Sequence, residues 1–268
     1  MSRSFWDAGA VGEFVGQDLT GSRFENVRLT GARFYDVDLT NARIRLADLT
    51  GAVIRGAVVS NVEISGEIEN LRVNGVDVVP LVEAELNRRF PDRVKMRPKD
   101  PRGFQEAWEI VERLWQQTVA RARTMAPELL HERVDGEWSF IETLRHLVFA
   151  TDAWVIRAVL SEPSPWDPLD LPHDEMPAIP GVPRDRNVEP SLDEVLTLRA
   201  DRMTTVRQLI AELTDEKLDS MTEPVMEPGY PESQSFPVRE CLRVVLSEEW
   251  EHRLYAERDL DVIASRSP

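Results

Sequence analysis

Between residues 14 and 64 an apolar side chain returns every five residues: Phe14, Leu19, Phe24, Leu29, Phe34, Leu39, Ile44, Leu49, Ile54, Val59 and Ile64. Neither a 3.6-residue period nor strict alternation describes this stretch. At 42% apolar content, eleven successes in one frame have a chance of about 10⁻⁴, so the pattern is a repeat. The position two before each is mostly small or β-branched, with Gln17 the large polar exception. The position two after is mostly Gly, Asn or Asp, from Gly16 to Gly66, with Leu46 the exception. Those residue types allow the chain to turn a corner every five residues. The pattern breaks at Glu69, and Ile68, Leu71, Val73, Val76 and Val78 continue as irregular strand-like alternation. Residues 67–79 therefore read as the end of the repeat.

From there the period becomes helical. Pro80–Phe90 predicts a short helix, placed to cover the last coil, since open strand edges invite aggregation. If so, deleting it costs solubility. Residues 91–102, polar and Pro-containing, read as a linker. Apolar residues at spacings of three and four predict helices over 104–126, 139–160, 191–213 and 238–263. Ser139 with Glu142, and Ser191 with Glu194, are capping boxes, and Pro237 marks the last helix entry. About thirty Pro-rich residues separate the second and third helices, an active-site rim or lid, or a crossover strap. A second long connection spans 221–237. Four helices with two long connections predict a four-helix bundle.

The stretches ADLTG (47–51) and VDLTN (37–41) resemble the pentapeptide-repeat family. The resemblance implies a right-handed, four-sided β-helix in which residues twenty apart stack. Phe14, Phe34 and Ile54 would form one inward column, and Leu19, Leu39 and Val59 another. Coils would rise by about 4.8 Å. The expected architecture is multidomain β plus α: a short right-handed quadrilateral β-helix over 1–79, a capping helix and linker over 80–103, and a helical bundle over 104–268.

Only four histidines occur: His131, His146, His173 and His252. His146 lies inside the most apolar helix. His252 lies in the last helix, four residues after Glu248, a spacing that puts both side chains on one face about 5 to 6 Å apart at Cβ. Such a pair, completed by a His from a neighbouring helix, makes a three-ligand site with room for water or substrate. Imidazole with carboxylate suits zinc, nickel, iron or manganese. Glu249 points off that face, as a solvated group or a supporting partner. Cys241 shares the face but sits about 16 Å along the helix and reads as a buried small residue. His131 and His173 read as loop residues, His173 at the site rim. Arg258 and Asp259 are expected to pair with other helices. The tryptophans at helical spacing read as core, and Trp166 in the Pro-rich loop as a substrate contact.

The stretches GEWSFIETLRHLVFATDAW (136–154) and VVLSEEWEHRLYAERDL (244–260) resemble the DinB-like superfamily. That resemblance implies a four-helix bundle holding a divalent metal through a His on the second helix and an HxxxH pair on the last. His146 matches the first ligand and His252 the final one. Glu248 replaces the first His of the pair, which adds negative charge and changes metal preference or ends binding. By analogy of fold, the activities implied are metal-dependent thiol transfer and isomerisation using a low-molecular-weight thiol as cosubstrate on a small-molecule substrate, an S-transferase or detoxification enzyme. The rival reading is a non-catalytic interaction protein with the solenoid as surface for a protein partner. Oligomeric state is open, a dimer included.

Charge refines these readings. The chain has 268 residues and a net charge of −16, which argues against nucleic-acid binding driven by phosphate contacts and against a polybasic membrane-surface protein. Residues 1–78 carry 8 basic and 11 acidic side chains, a net of −3, leaving −13 for the remainder. A short, weakly charged solenoid is a poor DNA mimic, so a topoisomerase modulator is disfavoured. The single cysteine excludes an internal disulfide and suits a reducing cytoplasm. No signal-peptide core and no membrane-span run is present, and a cytoplasmic location is expected.

Overall fold

A computed structural model of the chain describes residues 12–174 and 176–266. The expected solenoid limits over residues 1–11, and the last two residues of the expected helical domain, lie outside the described residues. The chain divides into two units, Met1–Ile64 and Ser65–Pro268.

In the first unit the backbone turns a corner every five residues. From Gly16 to Asn61 the corner residues take left-handed φ values between 50° and 78°. Leu46, the sequence exception, adopts the same conformation at φ 50°, at a steric cost of about 1–2 kcal/mol. Alternate corners close with a backbone hydrogen bond: Ser22 N–H to Leu19 C=O at 3.0 Å, then Ala32 to Leu29, Ala42 to Leu39 and Ala52 to Leu49. Asp18, Asp38 and Asp48 precede three of these turns. Each accepts the backbone N–H of the Thr two residues on, at 2.8 to 3.0 Å. Hydrogen bonds from the side chains of Thr20, Thr40 and Thr50, and then from their backbone N–H groups, hold the three carboxyls below their ordinary pKa. The repeat's Asp-Leu-Thr-Gly phrase is thus a self-contained turn: Asp orders its entry and Gly or Asn supplies the left-handed residue.

The stacked β-helix expected from the repeat is not formed among the described residues. Among the described residues no backbone hydrogen bond joins one coil to the next. The five-spaced apolar side chains are exposed, from 39% at Leu19 to 79% at Ile54. The physical difference is one of range. The hydrogen bonds at the corners span four residues, whereas stacking requires pairing of residues twenty apart. The only strands among the described residues are β1 (Arg72–Val73) and β2 (Val76–Asp77), an antiparallel hairpin in the second unit. Asn74 and Gly75 form its two-residue turn, both at positive φ.

Helix α1 (Val79–Arg89) follows. Residues 91–102, expected as a linker, are docked instead. Pro91–Met96 form a 3-10 helix with Met96 buried. Arg93 reaches back to Glu83 at 2.6 Å, and Asp92 accepts from Arg113 at 2.8 Å. Four long helices then build the core: α2 (Pro101–Ala122), α3 (Phe140–Thr151), α4 (Leu192–Ala211) and α6 (Val238–Arg266), with the short α5 (Asp215–Leu218) before α6. They pack in a ring: α3 against α4 and α6, and α2 against α6 and α4. Both capping boxes are formed. Ser139 and Glu142 exchange hydrogen bonds, as do Ser191 and Glu194. Every residue of α3 is buried, so α3 is the innermost helix. It runs directly into a π-helical turn, Asp152–Arg157.

The two long connections are fastened by buried arginines bonded to carbonyl oxygens. Arg145, on α3 and fully buried, donates to Leu169, Asp185 and Val188 C=O at 2.7 to 2.9 Å, gripping both arms of the first connection. Arg157 donates to Pro163, and to Glu227 C=O at 2.5 Å, tying the first connection to the second. A Cβ on Gly229 would lie 2.6 Å from the Arg157 guanidinium carbon, so any larger residue there would require the guanidinium to shift. The first connection carries its own small core, in which Met176 and Val182 pack on Phe149 and Ala153.

A carboxylate pair completes the fastening. Arg202 on α4 donates to both oxygens of buried Asp152, at 2.7 and 3.0 Å. Asp170, in the first connection, accepts Asp167 N–H through Oδ2 at 3.1 Å, while its buried Oδ1 has no hydrogen-bond partner among the described residues. Burial pushes the Asp152 carboxyl up to about 6 despite Arg202. Burial, then the charge of Asp152, pushes Asp170 well above its ordinary value. With Arg202 clamping Asp152, the proton of the pair sits on Asp170.

The folded chain therefore binds more protons here than the unfolded chain, whose carboxyls titrate near 3.8. Stability from the pair is full below about pH 4 and falls as pH rises through about 6. Asp170→Asn supplies an N–H donor that does not titrate. Its Tm is expected to vary less than the parent's between pH 4 and 6. An unchanged slope in thermal melts at pH 4, 5 and 6 would contradict the assignment.

Candidate metal centre

His146 lies at the middle of α3, 5% exposed. It is placed there because the Ser139 box starts the helix and its continuous apolar flanks draw it into the ring's interior. Glu248 and His252 lie one turn apart on α6, facing α3. His146 Nε2 is 3.1 Å from Glu248 Oε2, and His252 Nε2 is 3.0 Å from the same oxygen. One ligand atom from each of the three residues falls within 4.8 Å of the other two. The imidazole centroids of His146 and His252 are 4.9 Å apart. Tertiary packing thus brings together the three side chains expected from sequence to be ligands.

The His146 Nδ1 atom is 3.0 Å from the Leu171 carbonyl oxygen. A carbonyl only accepts, so Nδ1 carries a hydrogen and Nε2 is the atom turned to the site. If Nε2 is unprotonated, its lone pair meets a carboxylate oxygen, two acceptors face to face. Only positive charge resolves that contact, a proton on the ring or a cation among the three groups. Ligand atoms about 2.1 Å from one ion lie roughly 3.0 to 3.4 Å apart, which matches both Glu248 contacts. A second partner that fixes tautomer and ring orientation is the usual support of a histidine ligand. The residues present therefore fit a divalent ion.

Burial acts to raise the Glu248 carboxyl, but hydrogen bonds and charge attraction from His146 and His252 outweigh it and hold the group well below the usual carboxylate range. Glu248 is accordingly an anion at any working pH, ready to meet a cation. Trp138, just before the Ser139 cap, covers one side of the centre. Its ring stacks on His252 at 13° and 5.6 Å, and lies 4.4 Å from the His146 ring. On the other side Phe149 lies 6.2 Å from His146, with Trp166 and Tyr230 stacked on it at 5.7 and 5.9 Å. Burial, then the Glu248 charge, raises the Tyr230 phenol.

The remaining candidates fall elsewhere. Glu249 is neither solvated nor a neighbour of the imidazoles. It is 1% exposed and pairs with Arg199 of α4. Cys241 is buried in the main core, and burial pushes its thiol up to about 11. His173 sits edge-on to Tyr230 at 5.6 Å. His131 ends a 3-10 turn, Pro127–His131, on a groove between α2 and α4. Arg258 and Asp259 pair with each other at 2.7 Å rather than with other helices, since adjacent positions on α6 leave the short link available.

Sequence reasoning missed Trp138 and Tyr230 at the site and the Leu171 carbonyl behind His146. Trp138 carried one weak signal, its place next to the capping serine. The other two lie in the long connections, where no periodicity assigns a face.

Comparison with known families places the helical unit. Residues 110–256 match the family described as the DinB superfamily. Residues 14–45 and 32–66 match pentapeptide repeats, in eight copies. No curated protein and no solved structure matches the chain. No helix among the described residues is long and apolar enough to cross a membrane.

Proposed function

The chain belongs to the DinB superfamily, and from that membership we propose that its helical unit holds a divalent metal ion through His146, Glu248 and His252 and serves a thiol-dependent transfer reaction. The observation that supports this most directly is the convergence of Nε2, Oε2 and Nε2 within 4.8 Å, with the His146 tautomer set by Leu171. Three protein ligands leave coordination positions for an incoming group.

When bound, such an ion supplies Lewis acidity that lowers the pKa of a coordinated thiol. The chain's own residues supply the rest. His146 and Glu248 fix the donor geometry from two helices. Trp138 and Phe149 flank the imidazole face and limit water. No internal thiol can take the nucleophile's part, because Cys241 is buried with its pKa raised to about 11. On this reading the nucleophile is a low-molecular-weight thiol from solution, as the family resemblance implies. Glu in place of the first His of the usual pair makes the donor set harder and more negative. That favours manganese or iron more than an all-histidine site does.

The experiment is metal analysis of protein purified without added metal, followed by a screen of small thiols and electrophiles. Bound metal near one per chain, lost in His252→Ala, is the expected result. No uptake of zinc, nickel, iron or manganese would overturn the proposal.

A second reading is favoured by the exposed apolar residues of the repeat unit, such as Tyr35 at 92% and Val58 at 98%. On that reading the pentapeptide unit is a scaffold or docking surface for a protein partner. In its stacked form it would be the four-sided right-handed β-helix that the family pattern implies, with the five-spaced side chains turned inward. Far-UV circular dichroism and amide exchange of the whole chain test this. Protected amides within 14–64 are expected for stacked coils, and uniformly fast exchange there would exclude them.

A further inference from the structure

We infer that the buried Arg199–Glu249 ion pair is a positioning device for the candidate metal centre: it fixes the rotation of α6 about its axis, so that Glu248 and His252 meet His146. The metal arm of its test rests on the proposed function; the rotational register does not.

Glu249 is held at both ends of the residue. Its carboxylate accepts both Arg199 Nη groups, at 2.9 and 2.5 Å. Its carbonyl accepts the Trp115 indole N–H at 3.2 Å. The Arg199 guanidinium in turn lies 4.8 Å from the Trp115 ring centre. Side-chain exposure of the pair is 4% and 1%. Three helices, α2, α4 and α6, therefore converge on residue 249. Successive residues on an α-helix are rotated by about 100°. With Glu249 turned toward α2 and α4, Glu248 is carried round toward α3, where His146 waits. His252, one turn on, shares its face.

The chemistry of the contact suits this role better than a role in stability. A buried ion pair gains little over apolar side chains of equal volume, because desolvation offsets the attraction. A planar fork meeting a carboxylate through two parallel bonds, however, admits one relative orientation. Apolar packing at the same point would tolerate rotation and sliding of α6. Fixing register is the best attested use of such buried polar contacts.

The test uses the full chain and the double variant Arg199→Met/Glu249→Met, which removes both charges at similar volume. Three quantities are read: urea midpoint, zinc and manganese affinity by calorimetry, and the imidazole ¹⁵N shifts of His146 and His252 in metal-free protein. The expected result is a midpoint near the parent's, metal affinity weakened about 10- to 100-fold, and displaced imidazole shifts. The exposed pair variant Arg123→Ala/Asp193→Ala, which also links α2 to α4, is expected to change none of these. A folded double variant with unchanged affinity and unchanged shifts would overturn the inference. Should the double variant fail to fold, Arg199→Lys keeps the charge and loses the fork, and unchanged imidazole shifts there would overturn it equally. Should the parent bind neither metal, and neither nickel nor iron, the proposed function fails, and the imidazole shifts still decide the register.

Discussion

His146→Ala should reduce metal affinity by about 10³-fold or more while leaving the protein folded. The magnitude follows from comparison with supporting residues, whose loss alone costs about 10- to 100-fold. His146 is a proposed ligand in its own right, and its Nδ1 bond to Leu171 preorganises it. Its removal also leaves Glu248 with one imidazole partner instead of two. In metal-free protein the Glu248 carboxyl should then rise toward its ordinary value, because burial, the largest influence on it, is opposed by less attraction. Glu248→His is the informative companion. It restores two histidines one turn apart on α6 and should shift preference from manganese toward zinc or nickel. Calorimetric titration with each ion checks both variants. An His146→Ala protein that retains metal as the parent does would exclude the three-residue site, wherever else the ion was bound.

Arg145→Met should be among the most destabilising single substitutions in the helical unit, by about 3–5 kcal/mol. The side chain is fully buried and its three bonds end on carbonyls at 169, 185 and 188. Methionine fills most of the volume but makes none of these bonds, and hydrogen bonds from a charged group contribute about 1.5–3 kcal/mol each. The loss falls on the connection, not on α3 itself. That connection also presents the Leu171 carbonyl to His146 and Asp170 to Asp152. Urea unfolding should show the lower stability, and amide exchange should show the first deprotection within residues 161–190. A change below about 1 kcal/mol would mean that the connection is held by its apolar contacts through Met176 and Val182 alone.

The two arginines and the carboxylate pair explain why the first connection is long yet ordered. Every fastening joins a side chain on a helix to a backbone carbonyl or a carboxylate some 6 to 70 residues away. None has a periodicity, so the Pro-rich composition alone left a rim and a strap equally open. The structure shows the strap, which joins α3 to α4, and it places the Leu171 carbonyl 3.0 Å from His146 Nδ1 of the candidate centre.

What the sequence by itself determined was whatever is decided within a few residues. The capping boxes at Ser139 and Ser191, the entry of α6 after Pro237, the one-turn spacing of Glu248 and His252, and the five-residue corners of the repeat are all local. Even Leu46 adopts its corner, because its neighbours impose it. Tertiary structure alone decided which faces meet. It put Glu249 in the core with Arg199 rather than in solvent, docked residues 91–96 rather than leaving a linker, and paired Arg258 with Asp259. It also left the corners of the repeat formed but its coils unstacked among the described residues. The reason is common to all of these. Caps and turns gain their hydrogen bonds at small loop-closure cost, whereas long-range pairs depend on the packing of the whole unit, and no spacing along the chain encodes that.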